Sequence, residues 1–469
     1  MEKTSKVALI NSPILKGVFH HPLLIPLGLA YLAAVLEKEG HEVKVIDCPA
    51  CKIDHEKLKT ELSLFNPTLI GITSTTPTTP SALQSARAAK EACPNAKVIM
   101  GGPHATFMDK EILSEEPAVD MVVRGEGEQT LLELTQKSDD LDDPNTLKTI
   151  NGLTFKKDGK IVQTPDRPLI EDLDELPRPE YKFFPLENYR MFGKKFLPIM
   201  TSRGCPYQCS FCVTSRIFGK KFRARSPKNI VDELEWLRDT HGADGISFYD
   251  DAFTLDRKRL VAICEEIIDR KIGLPWGCQT RVDHVSKEIL ALMKKANCSE
   301  VSFGVESGCQ RILDAVGKRT SVEQNEKAIK WAKDEGLFVA VSAIIAYPGE
   351  TKETVNQTID LLRKMKPDDA YLCVATPYPG TELRSIVESS RWKISNDWSL
   401  YDTMNPVVEN PNLPAEELRK IRKEFYNGFY SISYVFRQFT KGRIRGNFYS
   451  QMMTRLAINH LLWRIKSRF

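Results

Sequence analysis

Short apolar, β-branched runs alternate with amphipathic stretches over roughly the first 136 positions of the chain. Residues 7–10, 43–47, 69–73, 98–101 and 121–124 read as strands, since each is a brief apolar run bounded by turn residues. Helices are expected at 27–39, 54–65, 80–92 and 128–136, where apolar positions recur at helical spacing. Strictly alternating strands and helices predict a parallel sheet covered on both faces, a doubly wound α/β unit of Rossmann or flavodoxin-like type. Ligands of such sheets lie beyond the carboxyl ends of the strands, and the loops there are unusually small and polar in this chain.

An acidic, turn-rich stretch at 139–144 follows. Residues 150–190 read as a hairpin and then a connector through Pro168, Pro177, Pro179 and Pro185. A second alternation starts at Phe196, with strands expected at 197–201, 245–249, 276–281, 300–305, 338–345 and 370–375. Six such units predict a partial (β/α)6 barrel whose active site sits at the C-terminal strand ends. The pattern stops near residue 395, and a helical region at 414–427 precedes a basic, aromatic tail. The expected division is 1–145, a linker over 146–190, 191–395, and a helical C-terminal region over 396–469.

Length and an ordinary apolar share fit two or three domains with substantial cores. The eleven cysteines lack the regular spacing of a secreted disulfide framework, which favours a reducing cytoplasm and thiols that bind metal or stay free. No charged, apolar and small-residue succession marks the N-terminus as an export signal, and no apolar run is long enough to span a bilayer. The net charge of +4 is unevenly placed: after Glu424 there is no acid, while Arg437, Lys441, Arg443, Arg445, Arg455, Arg464, Lys466 and Arg468 are all basic. The remainder is therefore net acidic, and an anionic partner belongs at the tail.

Chemistry concentrates in Thr201-Ser202-Arg203-Gly204-Cys205-Pro206-Tyr207-Gln208-Cys209-Ser210-Phe211-Cys212, directly after the first barrel strand. Three thiolates in one loop leave one iron of a 4Fe-4S cubane without a protein ligand. The amine and carboxylate of S-adenosylmethionine (SAM) can chelate that iron. A zinc knuckle would require a fourth Cys or His nearby, and the loop holds none.

Cys-x3-Cys-x2-Cys with an aromatic residue before the third cysteine resembles the signature of the radical SAM superfamily. Gly304-Val305-Glu306-Ser307-Gly308 is similar to the family's Gly-Ile-Glu-Ser-Gly segment, and Tyr347-Pro348-Gly349-Glu350-Thr351 to its Leu-Pro-Gly-Glu-Thr turn. Either segment alone is equally a capped strand-to-helix turn. The resemblance implies that Cys205, Cys209 and Cys212 bind the cluster, that Phe211 flanks the adenine, and that Gly304, Glu306 and Ser307 lie against SAM. Asp250 and Asp251 fit either this site or a helix cap.

The N-terminal unit resembles the cobalamin-binding domain found before the radical module in one branch of the superfamily. Its carriers are Pro26-Leu27-Gly28-Leu29-Ala30-Tyr31-Leu32, Gly101-Gly102-Pro103-His104-Ala105-Thr106 and Arg124-Gly125-Glu126-Gly127-Glu128. The cobalamin contacts implied are Ser74, Thr75, Gly101, Gly102, His104, Gly125, Glu126 and Gly127, with Thr76 in the same crevice. The Asp-x-His-x-x-Gly cobalt-ligating motif is absent, so His20, His21 and His104 compete with ordinary loop roles. A tRNA methylthiotransferase, with Cys48, Cys51 and Cys93 holding a second cluster, is the alternative, and a noncatalytic zinc or cobalamin binder is another.

The tail interleaves its cations with Phe425, Tyr426, Phe429, Tyr430, Tyr434, Phe436, Phe439, Phe448, Tyr449 and Trp463. Such a segment fits an anionic membrane surface, a cap on the barrel, or single-stranded nucleic acid, in that order. The branch resemblance, which includes lipid-modifying and porphyrin-cyclising enzymes, implies a 5'-deoxyadenosyl radical that functionalises an unactivated carbon by methylation or ring formation. It implies a hydrophobic lipid or isoprenoid substrate and an external electron donor such as ferredoxin or flavodoxin.

Overall fold

The computed structural model describes residues 4–15, 23–445, 449–455 and 457–458. Five parallel strands open the chain: β1 (Lys6–Asn11), β2 (Glu42–Asp47), β3 (Leu69–Thr73), β4 (Lys97–Gly101) and β5 (Met121–Val123). They pair in the order β2-β1-β3-β4-β5, so the order reverses between β1 and β3 and leaves a crevice at their carboxyl ends. Val7 and Leu9 point to one face and Ala8 and Ile10 to the other, and all four are fully buried. Helices Leu27–Lys38 and Glu128–Gln136 cover the first face; His55–Phe65 and Thr79–Ala92 cover the second. This is the doubly wound sheet that the alternation predicted.

The expected hairpin forms as β6 (Leu153–Lys157) and β7 (Lys160–Gln163), and it joins the same sheet by antiparallel pairing of β6 with β5. The connector then runs through short 3-10 turns. Tyr181 within it is fully buried and donates its hydroxyl to the Pro198 carbonyl of the next domain.

The second sheet contains β8 (Arg190–Met191), β9 (Lys194–Ile199), β12 (Gly245–Phe248), β13 (Trp276–Thr280), β14 (Cys298–Glu306), β15 (Phe338–Ile345) and β16 (Asp369–Val374). Between β9 and β12, a two-residue pairing of β10 (Ser202–Arg203) with β11 (Arg223–Ala224) pins the intervening loop. Strand β8 is antiparallel to β9; the other six are parallel, forming the partial barrel. Its helices start where side chains can cap them: Ser226, Asp256, Ser286, Ser321, Thr351 and Thr381 each accept a bond from the first helical turn. One continuous hydrophobic core includes Leu9 and Ala30 of the first domain and Leu197 and Phe248 of the second, so the two pack as one body.

The tail closes the barrel from its N-terminal end. Helix Ile432–Arg445 lays Tyr434 and Gln438 against Asp368, whose carboxylate also receives the Lys441 ammonium at 2.5 Å. Residues 449–455 are again helical, and Tyr449 and Met453 pack on Phe338 and Ala340. The described tail therefore serves as a barrel cap. Phe448, Trp463, Arg464, Lys466 and Arg468 lie outside the described residues, as do His20 and His21.

Candidate active site

The cysteine loop leaves β9 held from two sides. Asp250, 2 % exposed, accepts the Thr201 amide at 3.2 Å and the Thr201 hydroxyl at 2.8 Å, and also takes the Ser202 hydroxyl. Arg259 holds the Thr201 carbonyl at 2.9 Å. Asp250 is thus neither a helix cap nor a free carboxylate; helix Arg257–Asp269 is capped by Asp256. Asp251 instead accepts from Thr214, which in turn lies 3.4 Å from the Cys212 sulfur. Gly204 has φ +88°, and a Cβ there would run into the Lys221 carbonyl, so the turn into Cys205 requires glycine.

Cys205, Cys209 and Cys212 are free, half-buried thiols. Their loop is fastened by the Cys205 amide on Gly219 O (3.2 Å), the Ser210 amide on Val316 O (3.0 Å) and the Cys212 amide on Cys209 O (2.9 Å). Burial pushes the Cys209 thiol up, while Lys318 and Arg281 act in the opposite sense and favour a thiolate. Among the described residues no three His, Cys, Asp or Glu side chains converge on a single-ion site. The loop offers three thiols and no fourth Cys or His, which fits a cluster with one open iron better than a four-ligand zinc knuckle. Phe211 packs against the cluster of Cys309, Ile312, Val316 and Tyr347.

Opposite the loop, β14 breaks register between Gly304 and Glu306. Glu306 takes φ +59° and meets Lys318 Nζ at 2.7 Å, with both side chains almost fully buried. A Cβ on Gly304 would sit 2.7 Å from Lys318 Nζ and on top of Glu306 Oε1, so the glycine makes room for the pair. Arg281 forks onto Asp283 at 2.9 Å, stacks 3.5 Å over the Tyr207 ring and donates to the Lys318 carbonyl at 2.6 Å. Sequence reasoning placed Gly304 and Glu306 but missed Lys318 and Arg281. The position of Arg281 at the carboxyl end of the strand expected over 276–281 was a usable signal; Lys318 offered none.

Ser307 is fully buried, its hydroxyl 3.2 Å from that of Thr358 and accepting the Cys309 amide at 3.1 Å, which is a role in packing the turn. Glu350 also turns inward: it accepts the Tyr347 amide at 3.0 Å, and burial raises its carboxyl to about 7. Tyr347 in turn lies 2.8 Å from the Ser210 hydroxyl, tying this turn to the cysteine loop.

Above β1, β3, β4 and β5 lies a cavity of about 450 Å³. Thr75, Gly101, Gly102, Gly125, Glu126 and Gly127 line it from the first domain, and Met200, Arg203, Phe218 and Tyr249 from the second. Gly102, with φ +94°, would drive a Cβ to 2.7 Å from the Ser74 carbonyl; only glycine lets the backbone come this close. Leu9, Leu27, Ile72, Ile99 and Val123 add apolar walls. A flat apolar macrocycle with polar edges fits this chamber.

Ser74 and His104 do not line it. Ser74 is fully buried and its hydroxyl turns to Gly101 O. His104 lies against Trp398, 5.0 Å between ring centroids, with Nδ1 3.2 Å from Thr76 Oγ1, and burial lowers its pKa to about 4. Among the described residues no histidine lines the cavity. Glu126 reaches its rim already engaged: Arg203 at 3.1 Å and Arg223 at 2.9 Å hold it, and Arg203 also meets Glu128 at 2.5 Å.

Cys48 and Cys51 occupy a short turn after the C-terminal end of β2, whereas Cys93 precedes β4 at the opposite edge of the parallel sheet. Three cysteines so separated cannot share a second cluster.

A parallel first sheet opening onto a three-cysteine loop at the mouth of a half-barrel is the arrangement of a multi-cofactor radical enzyme. Residues 199–362 match the Radical SAM superfamily and residues 21–135 the B12 binding domain. The chain is 39 % identical to an uncharacterized methyltransferase of Pyrococcus horikoshii, over 86 % of this chain and 87 % of that protein. It is 32 % identical to the anaerobic magnesium-protoporphyrin IX monomethyl ester cyclase of Rubrivivax gelatinosus, over 90 % of this chain and 76 % of that one. The fold is shared with the radical SAM methyltransferase TsrM of Kitasatospora setae (TM-score 0.70, 22 % identity, 82 % of this chain and 75 % of that one), solved with cobalamin and a [4Fe-4S] cluster. The chain belongs to the cobalamin-dependent radical SAM enzymes, whose cofactors are a 4Fe-4S cluster, SAM and cobalamin.

Proposed function

We propose that this enzyme methylates, or closes a ring at, an unactivated carbon of a small molecule held between the two domains. When bound, the cofactors supply a carbon radical through SAM cleavage and, at the corrinoid, a methyl group or control over the substrate radical. The carrying observation is the shared cavity, where glycine turns of the first domain face Met200, Arg203 and Tyr249 beside the cysteine loop. Cys205, Cys209 and Cys212 would hold the cluster. The Glu306–Lys318 pair offers one group of each sign to the amine and carboxylate of SAM. Thr75, Gly101, Gly102, Gly125 and Gly127 would bear on the corrinoid. An external protein such as ferredoxin or flavodoxin would supply the electron.

The test is anaerobic purification. Brown protein with one cluster and bound corrinoid that converts SAM to 5'-deoxyadenosine supports the reading; colourless protein or a second cluster overturns it.

A second reading concerns location. On helix Ile432–Arg445 the face away from the barrel exposes Ile432 (78 %) and Phe436 (72 %), one turn apart, on a tail without acids. That face suits an anionic bilayer surface, as a lipid-like substrate would require. Among the described residues no helix is long and apolar enough to cross a membrane. Flotation with anionic liposomes, lost in an Ile432→Ser/Phe436→Ser variant, is the expected result; equal flotation of both proteins overturns the reading.

A further inference from the structure

Strand register divides the barrel residues into two sets. Phe248, Cys278, Val301, Phe303, Val341 and Leu372 fall on the outer face and join the helix-covered core. The other parity faces the lumen: Ser247 pairs beside Gly277, Gln279 beside Ser302, Gly304 beside Ser342, and Ser342 beside Tyr371. Central strands buried on both sides ordinarily read as continuous apolar runs. Here the second face presents hydroxyls and an amide among Ala340 and Ile344, while the carboxylates on the same parity, Glu300 and Asp369, are engaged by Tyr449 and Tyr430.

These groups are accessible. Ser247, Ser302 and Ser342 are half-buried, Gln279 is exposed and Tyr371 is 49 % exposed, although all lie in the middle of one sheet. Among the described residues the side chains of Ser247, Gln279, Ser302 and Ser342 are bonded to no other protein group. The lumen floor is closed: Tyr449 of the tail approaches Gly277 and bonds Glu300, above the packing of Phe338 and Met453. The roof is the Glu306–Lys318 pair, and Tyr249, on the lumen parity of its strand, also lines the cavity of the first domain. The cations near the rim, Arg281 and Lys318, are already paired with Asp283 and Glu306.

We infer that Gln279, Ser302 and Ser342 form a substrate subsite for a neutral, oxygen-bearing group, such as a hydroxyl, carbonyl or ester, at the end of the molecule that enters the lumen. The inference rests on the proposed function and names the substrate class of that site. A purely hydrocarbon end would leave the polar row without partners, and an anionic end would have to displace Asp283 or Glu306 from the cations at the rim. A lipid or isoprenoid satisfies this only if its oxygenated end enters first.

The experiment starts from a strain lacking the protein. The compound that accumulates there is isolated, and its binding to anaerobically purified holoenzyme is measured by equilibrium dialysis. Three proteins are compared: wild type, Ser302→Thr/Ser342→Thr and Ser302→Val/Ser342→Val. Threonine and valine have the same shape, so only the hydroxyls differ. Cluster and corrinoid content report folding and the functional reading independently of substrate binding. The expected result is a neutral oxygenated compound that the threonine variant binds and the valine variant binds about 10- to 100-fold more weakly, the effect of one or two hydrogen bonds. Equal binding by the two variants overturns the subsite, as does an accumulating compound that is anionic or lacks oxygen, or an unchanged extract. Wild-type protein without cluster or corrinoid overturns the proposed function instead.

Discussion

Arg203, two residues before Cys205, reaches across the domain boundary to Glu126, with Nη1 3.1 Å from Oε1, and its second nitrogen meets Glu128 at 2.5 Å. All three side chains are almost wholly buried, so the loop bearing the cysteines and the loop bordering the interdomain cavity are held by one charge network. Removing the cation leaves two buried carboxylates short of a partner. Arg203→Ala should destabilise the protein by about 3 kcal/mol or more, seen as a lower midpoint in urea unfolding, and corrinoid content should fall with it. A variant of unchanged midpoint would mean that the network contributes little to docking the domains.

Cys209→Ala is expected to abolish the iron-sulfur absorbance near neutral pH and with it all conversion of SAM to 5'-deoxyadenosine. Retention of the cluster together with full SAM cleavage would remove Cys209 from the ligand set.

Gly304→Ala places a methyl group between Glu306 and Lys318, where no room exists. SAM binding, read by equilibrium dialysis on the reconstituted protein, should weaken by about 10-fold or more as the pair is forced apart. Unaltered affinity would show that the pair does not face SAM.

Glu350 is fully buried and its carboxyl is raised from 4.5 to about 7, chiefly by burial. The folded state therefore holds its proton more tightly than the unfolded state. Its contribution to stability is complete below pH 4.5 and is lost as pH rises to 7. Glu350→Gln keeps the acceptor for the Tyr347 amide and cannot ionise. Over that window the wild type should lose about 3 kcal/mol relative to the variant, measured by urea unfolding at each pH. Parallel pH profiles of the two proteins would contradict this.

His104 packs on Trp398 away from the cavity, with a pKa lowered to about 4 by burial. His104→Ala should lower stability by about 1–3 kcal/mol while the absorption spectrum of the bound corrinoid stays as in wild type. A spectral shift toward loss of a nitrogen ligand would make His104 a cobalt ligand after all.

Much of this architecture was legible along the chain because its signals are local. The strands at 69–73 and 338–345 and the helix at 128–136 match their expected limits residue for residue, since short apolar runs and helical spacing of apolar positions are signals carried by neighbouring residues. The cysteine loop was equally plain, its spacing being confined to eight residues after one strand. Other assignments failed to localise. Ser74 and His104 lie in loops of the expected type, yet their side chains turn into the protein, and loop membership does not set side-chain direction. The tail's basic and aromatic composition fits both a lipid surface and a cap. Tyr434, Gln438 and Lys441 choose the cap only because Asp368, some 70 positions earlier, waits at the barrel floor.

The sequence by itself determined the two alternating α/β units, their order, and the triad of cysteines at the first barrel strand, because hydrophobic period and short motif spacing are properties of neighbouring residues. Tertiary structure alone decided that Arg203 joins Glu126, that Lys318 faces Glu306, and that Gln279, Ser302 and Ser342 share an open lumen. Those relationships depend on strand register and domain packing, which bring together residues 12 to 77 positions apart whose partners no local pattern specifies.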